Sequence, residues 1–241
     1  MTTVSPNAHS SWRRMRPKGL LRWAVLAVAA SNATVHAQQP PVHRLYAGAM
    51  PPGAIGNLRQ LRGGPLSGYF QPVRIRAPEG ARISLAEEGG FCSEQYGSAL
   101  VGLQIGPVYR MRVAGFAADG GGEVFPTVEV IDRLYPPAGL ALRYPIPVEL
   151  TRKELQMAAD GMLVTRVIYL ENPNAALPAD EPQDEQAWVE APHGTDPLAI
   201  ADEMGRPVAI LRIGGRVPNR GTTPFDACPP AFRTFSEAEV Q

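Results

Sequence analysis

Four carboxylates crowd one stretch of the chain: Asp119, Glu123, Glu129 and Asp132, set around and after Gly120-Gly121-Gly122. Loop acids helped by main-chain carbonyls are one way that exported β-proteins hold Ca²⁺, a cation that takes about six to eight oxygen ligands. Asp119 through Glu123 offers only two side chains at close spacing, so the run reads as a hairpin turn with solvated acids, and no metal ligand is assigned. Arg110, Arg112 and Arg133 have the spacing to pair with Glu129 or Asp132 across neighbouring strands, at about a few tenths of a kcal/mol per exposed pair. The same face would suit a sugar, with Tyr109 or Tyr135 as the stacking platform.

Covalent chemistry finds less support. No Gly-x-Ser-x-Gly run is present. Ser67, Ser84, Ser93 and Ser98 have no recognisable base, and His193 lies near Asp196, an acid already explained as a helix cap. Gly120 to Gly122 lacks the Gly-Lys-Ser/Thr that completes a phosphate loop. Cys92 and Cys228 are the two cysteines, and in an oxidising compartment they are expected to form one disulfide. Closing so long a loop stabilises by up to about 4–5 kcal/mol on chain entropy alone. Two distant cysteines with His43 and His193 offer no zinc spacing. No catalytic residue and no cofactor is assigned, and the sequence leans away from an enzyme.

The elements that would position these groups read mostly as strands. Val73, Ile75 and Ala77 alternate with arginines, and after Pro78-Glu79-Gly80 so do Ile83 and Leu85 with Arg82 and Ser84. This predicts a hairpin of half-buried strands. Leu100 to Ile105 is a more apolar strand. Tyr109, Met111 and Val113 oppose Arg110 and Arg112, and a Gly-rich turn leads into Val124, Val128 and Val130, which predicts a second hairpin. Leu140 to Tyr144 reads as a further strand, and Pro145-Ile146-Pro147 marks a sheet edge or a switch between sheets.

The period then changes twice. Thr151-Arg-Lys-Glu154 is a capping box, followed by Leu155, Ala158 and a terminating Gly161, then a β-branched strand from Leu163 to Leu170. Asp196 caps a second helix with Pro197 in its first position, Gly205 ends it, and Val208 to Ile213 is the next strand. These elements predict a mainly β chain, an immunoglobulin-like antiparallel β-sandwich with two short helices and long Pro/Gly-rich loops. The 25 prolines and 24 glycines, about a tenth of the chain each against a usual 5% and 7%, fit many short strands joined by turns.

The N-terminus carries an address. Arg13, Arg14, Arg16 and Lys18 precede an apolar run from Trp23 to Ala30, and Val35-His36-Ala37 supplies small residues before Gln38. That is the pattern of a secretory leader over residues 1–37. A retained amphipathic anchor is the alternative, since Arg22 interrupts the apolar side. Without the leader's five basic residues the remainder has 18 basic residues against 23 acidic ones, a poor balance for sequence-independent nucleic-acid binding. The expected divisions are a signal peptide over 1–37, a poorly anchored segment over 38–70, a β-rich domain over 71–217 and a tail over 218–241 tethered by Cys228.

Glu123 through Pro137, Tyr144 through Thr151 and Val164 through Pro173 resemble, phrase by phrase, a family of exported planctomycete proteins of unknown function, and Asp196 through Gly215 is similar to that family's C-terminal segment. The resemblance implies export and one integrated domain. It carries no activity, ligand or functional residue. The expectation is therefore an exported (periplasmic, cell-envelope or secreted) non-catalytic protein that binds or structures an unknown envelope or extracellular partner, with no nucleic acid and no stable membrane span after leader cleavage. A carbohydrate-binding module and an unrecognised metal-dependent hydrolase are the alternatives.

Overall fold

A computed structural model describes residues 51–61, 68–88, 90–174, 189–192, 194–215, 229–236 and 239. The leader, His193 and Cys228 lie outside the described residues. Twelve strands and three helices are present among them. In chain order they are α1 (Ala54–Leu61), β1 (Phe70–Arg76), β2 (Arg82–Glu87), β3 (Gly90–Phe91), β4 (Gln95–Tyr96), β5 (Ser98–Gln104), β6 (Val108–Ala114), β7 (Glu123–Val124), β8 (Thr127–Val130), β9 (Ile146–Glu149), α2 (Arg152–Ala159), β10 (Val164–Glu171), α3 (Pro197–Met204), β11 (Gly205–Ile213) and β12 (Phe232–Thr234).

They form the expected β-sandwich. One sheet has the order β12-β5-β1-β9. The other runs β10-β11-β8-β6-β2-β3, with β4 added on β2 and β7 on β6. Pairing is antiparallel throughout except β1 with β9. The alternation read from the sequence decides which side chains meet between the layers. Val73, Ile75, Val101 and Leu103 from the smaller sheet pack with Ile83, Leu85, Met111, Val113, Val128, Val130 and Leu211 from the larger one. Period-2 side chains on two facing sheets give one shared core about 10 Å thick.

Two elements differ from expectation. β1 and β2 are not a hairpin: β1 pairs with β5 and β9, while β2 pairs with β6, β3 and β4. The turn itself exists, with Ala81 N–H donating to Pro78 O at 3.0 Å, but it carries the chain from one sheet to the other. An arch between sheets keeps both apolar faces inward, so its alternation is the same as a hairpin's. Leu140 to Tyr144 is not a strand either. A 3-10 turn over Ala141–Arg143 follows Pro137 and Gly139, and none of its residues is buried. The second hairpin is as expected, with β6 on β7 and β8. Pro147 lies on β9, an edge strand, where its missing N–H costs no ladder bond.

Both caps take the expected form. Thr151 Oγ1 accepts from Glu154 N at 3.2 Å while the Glu154 carboxylate accepts from Thr151 N at 3.1 Å. Asp196 Oδ1 accepts from Leu198 N at 3.0 Å. Gly161 ends the α2 region with φ of +92°, a left-handed value that favours glycine.

The helices cover both faces of the larger sheet near β10 and β11. α2 turns Leu155 and Ala158 into the inter-sheet core. α3 lies on the outer face, where Leu198 meets Ile210, Ile131 and the half-buried Val167. α1 completes that second cluster through Ile55. Thus part of the segment expected to be poorly anchored is a docked helix, with Gly56 against the Gly106 main chain. The tail is also held by strand pairing: Phe232, Arg233 and Thr234 of β12 pair with Leu103, Gly102 and Val101.

Candidate functional site

The four acids separate in the fold. Asp119 Oδ1 accepts from Gly121 N at 2.9 Å, closing a local turn. Glu123 accepts from Arg112 Nε, and Arg112 Nη1 also reaches Glu94 at 3.1 Å, with Arg82 on the other Glu94 oxygen at 3.3 Å. Glu129 and Asp132 belong instead to the outer face of the larger sheet, under α1. Glu129 is fully buried, its Oε2 3.1 Å from Arg212 Nη1 and its Oε1 accepting from Gly56 N at 3.2 Å. Asp132 Oδ2 accepts from Arg59 Nη1 at 2.9 Å and from Arg206 Nη1 at 2.7 Å. The expected arginine partners are thereby corrected: Arg59, Arg206 and Arg212 hold these two acids, 73 to 83 residues away in sequence. Among the described residues no three of His, Cys, Asp and Glu come together as a metal-ligand set.

One of the two stacking platforms is corrected as well. Tyr109 is buried; its hydroxyl accepts from Gln104 N at 2.9 Å and donates to Ala231 O at 2.8 Å, so it ties the tail to β5 rather than facing solvent. Burial pushes its phenol up to about 12, with the Gln104 amide pulling the other way. The neutral phenol is favoured in the folded state, so its contribution to stability is complete below about pH 10 and is lost as pH rises through 10 to 12. The Tm of the wild type should fall more steeply over that interval than that of Tyr109→Phe; parallel profiles would show that this hydroxyl carries no linkage. Tyr135 is exposed, but its ring is already engaged, with the Arg133 guanidinium carbon 4.3 Å and that of Arg206 5.6 Å from its centre.

Cys92 carries a free thiol whose Sγ accepts from Leu85 N at 3.1 Å and donates to Ser93 O at 3.6 Å. Burial pushes that thiol up, with the Leu85 amide opposing, which disfavours the thiolate a nucleophile needs. The expected partner, Cys228, is outside the described residues.

Two concavities stand out among the described residues. A shallow polar cleft of about 400 Å³ lies beside the Gly-rich turn, where the exposed Tyr96 stands near Arg82, Arg152 and Glu79. Arg152 is spent there on main-chain oxygens of Phe116 and Glu79. The second is a groove of about 460 Å³ bounded by α2, β10, α3 and residues 189–191. Its lining is mixed, with Met157, Val164, Val167, Ile200 and Met204 as the apolar part and Arg166 as the enclosed charge. Arg166 bridges the layers: Nη2 donates to Glu149 O, Nη1 lies 3.4 Å from Glu154 Oε1, and Nε is buried with no partner among the described residues. Burial pulls its guanidinium below the ordinary arginine range, with Glu154 and Glu149 opposing.

A mainly apolar groove with a few convergent polar groups and one perturbed charge is the usual form of a binding site. The sequence marked both helices and β10 but not the space between them; its one local signal was Arg166 inside an otherwise β-branched apolar run. Compared with known proteins, the chain matches no family model, no curated protein and no solved structure.

Proposed function

We propose that the chain is an exported, non-catalytic binding protein of the cell envelope or periplasm, with the α2–β10–α3 groove as its ligand seat. The observation that carries this reading is the groove itself: about 460 Å³, walled by helices on two sides, with the enclosed Arg166 paired to Glu154 and to the Glu149 carbonyl. Such a lining excludes water from an apolar ligand without requiring a counter-charge. The leader pattern before Gln38 and the resemblance to exported proteins support the location.

The test uses the neutral fluorophore N-phenyl-1-naphthylamine. Its emission should rise saturably with the wild-type protein, and Ile200→Arg on α3 or Met157→Arg on α2 should each weaken binding about tenfold or more. Both side chains are only half-buried, so thermal unfolding should change little. No saturable signal, or binding indifferent to both variants, would remove the groove as the seat. A specific observation favours one other reading, a glycan contact at the polar cleft: Tyr96 is 73% exposed beside two arginines. Glycan-array binding abolished by Tyr96→Ala would move the site there.

A further inference from the structure

β10 is an edge strand, and among the described residues β11 is its sole strand neighbour. The direction of its free edge follows from hydrogen bonds on the far side of β11. Val208 O accepts from Ile131 N at 2.9 Å, and Gly214 O accepts from Phe125 N at 3.0 Å, so the even positions of β11 turn their main chain toward β8. The odd positions Ala209, Leu211 and Ile213 therefore turn toward β10, where they meet Ile168, Arg166 and Val164. Main-chain groups alternate along an antiparallel strand. The N–H and C=O of Thr165 and Val167 consequently point out of the sheet.

That open edge is the floor of the groove. The groove is lined by residues of both faces of β10, Thr165 and Val167 on the outer side and Val164 and Arg166 on the inner. Its walls are α2, which packs into the inter-sheet core, and α3, which packs on the outer face. Two helices on opposite faces of one sheet leave only the strand's edge between them.

The other edges are blunted. β9 carries Pro147, while β12 has three residues and β3 two. β10 has eight residues and no proline. A long unprotected edge is a template for another strand, and proteins without a use for one cover or interrupt it.

We infer that the groove binds an extended apolar peptide, which adds to β10 as a further strand. The inference rests on the groove's being the ligand seat and names the ligand's class. Among the described residues the outward donors and acceptors of Thr165 and Val167 are unpaired, and at strand spacing they are matched by an extended polypeptide and not by an acyl chain or a sugar. Alternate side chains of the added strand fall against Met157 and Val164 on one wall and Ile200 and Met204 on the other. The Arg166 charge is met by Glu154 and by the Glu149 carbonyl, so no anionic end group is called for.

The experiment is selection of displayed random dodecapeptides on the full chain, followed by amide hydrogen exchange of the protein with and without a synthetic copy of an enriched peptide. Enriched peptides should alternate apolar residues, slow exchange at Thr165 and Val167, and lose about tenfold or more affinity when alternate peptide amides are N-methylated. Thr165→Pro removes an outward N–H from an edge, where proline is tolerated, and should weaken peptide binding similarly. No enrichment, methylation-insensitive binding, or amides at Thr165 and Val167 already protected in the free monomer or in a self-associated form would overturn strand addition. In each of those cases naphthylamine binding still reports whether the groove is a seat at all.

Discussion

Glu129→Ala should cost about 3–5 kcal/mol, the range for removing one partner of a buried ion pair. The carboxylate is completely enclosed, and its loss leaves two groups stranded: the Arg212 guanidinium, 15% exposed, and the Gly56 N–H. Both then lack a partner in a place where water does not compensate them. At about 2–4 °C per kcal/mol for a chain of this size, the Tm should drop by roughly 6–20 °C. The effect should be centred on α1, because Gly56 is its third residue and its one large buried apolar side chain is Ile55. Amide exchange at Gly56 should therefore speed up more than at the core strand β6. Replacing both partners, Glu129→Met with Arg212→Met, should recover most of the loss, since an apolar pair of similar volume avoids the desolvation cost. An unchanged Tm for Glu129→Ala would mean that the pair does not hold α1, and failure of the double variant to recover would place the cost in packing rather than charge.

That prediction was out of reach of the sequence, for reasons that apply to most of the molecule's polar interior. Glu129 and Asp132 stand out as acids on and just after a strand, but their partners Arg59, Arg206 and Arg212 come from two elements remote in sequence, α1 and β11. Charge spacing along one strand reports its neighbours only when the strand order is known. α1 was illegible for the same cause: Ala54 through Leu61 contains a glycine, buries one large side chain and is held by a distant carboxylate.

Local chemistry was legible. The Thr151–Glu154 box and the Asp196–Pro197 start satisfy orphan amides with side chains two or three residues away, so sequence alone determines them. Strand alternation was legible too, because burial on one face of a pleat needs no knowledge of the partner. Which sheet a strand joins was not, as β1 and β2 demonstrate. The groove combines the two cases: α2, β10 and α3 can each be read from their own residues, whereas their opposite placement on β10 comes only from the core that each helix joins.

Gly205→Ala should destabilise by about 3 kcal/mol, at the upper end for overpacking. The position looked like a helix-ending glycine, which would implicate a left-handed backbone. Its φ is instead 175°, extended geometry open to any residue. Space is what requires glycine there. A Cβ would lie 1.9 Å from Leu170 O and 2.8 Å from Leu170 C, atoms of β10's main chain that cannot rotate away. β11 begins at this residue directly after α3, so relieving the clash means moving β10 from the start of β11 or moving α3. Both movements open the groove at its Met204 end. The Tm should fall by roughly 6–12 °C, and naphthylamine binding should weaken even at temperatures where the variant is folded. Gly214→Ala is the matched control: its Cβ would meet nothing closer than Leu163 Cδ1 at 3.9 Å, so stability should stay within about 0.5 kcal/mol. Equal effects at the two positions would mean that β-strand propensity governs both, and that the close approach of β10 to Gly205 has no energetic weight.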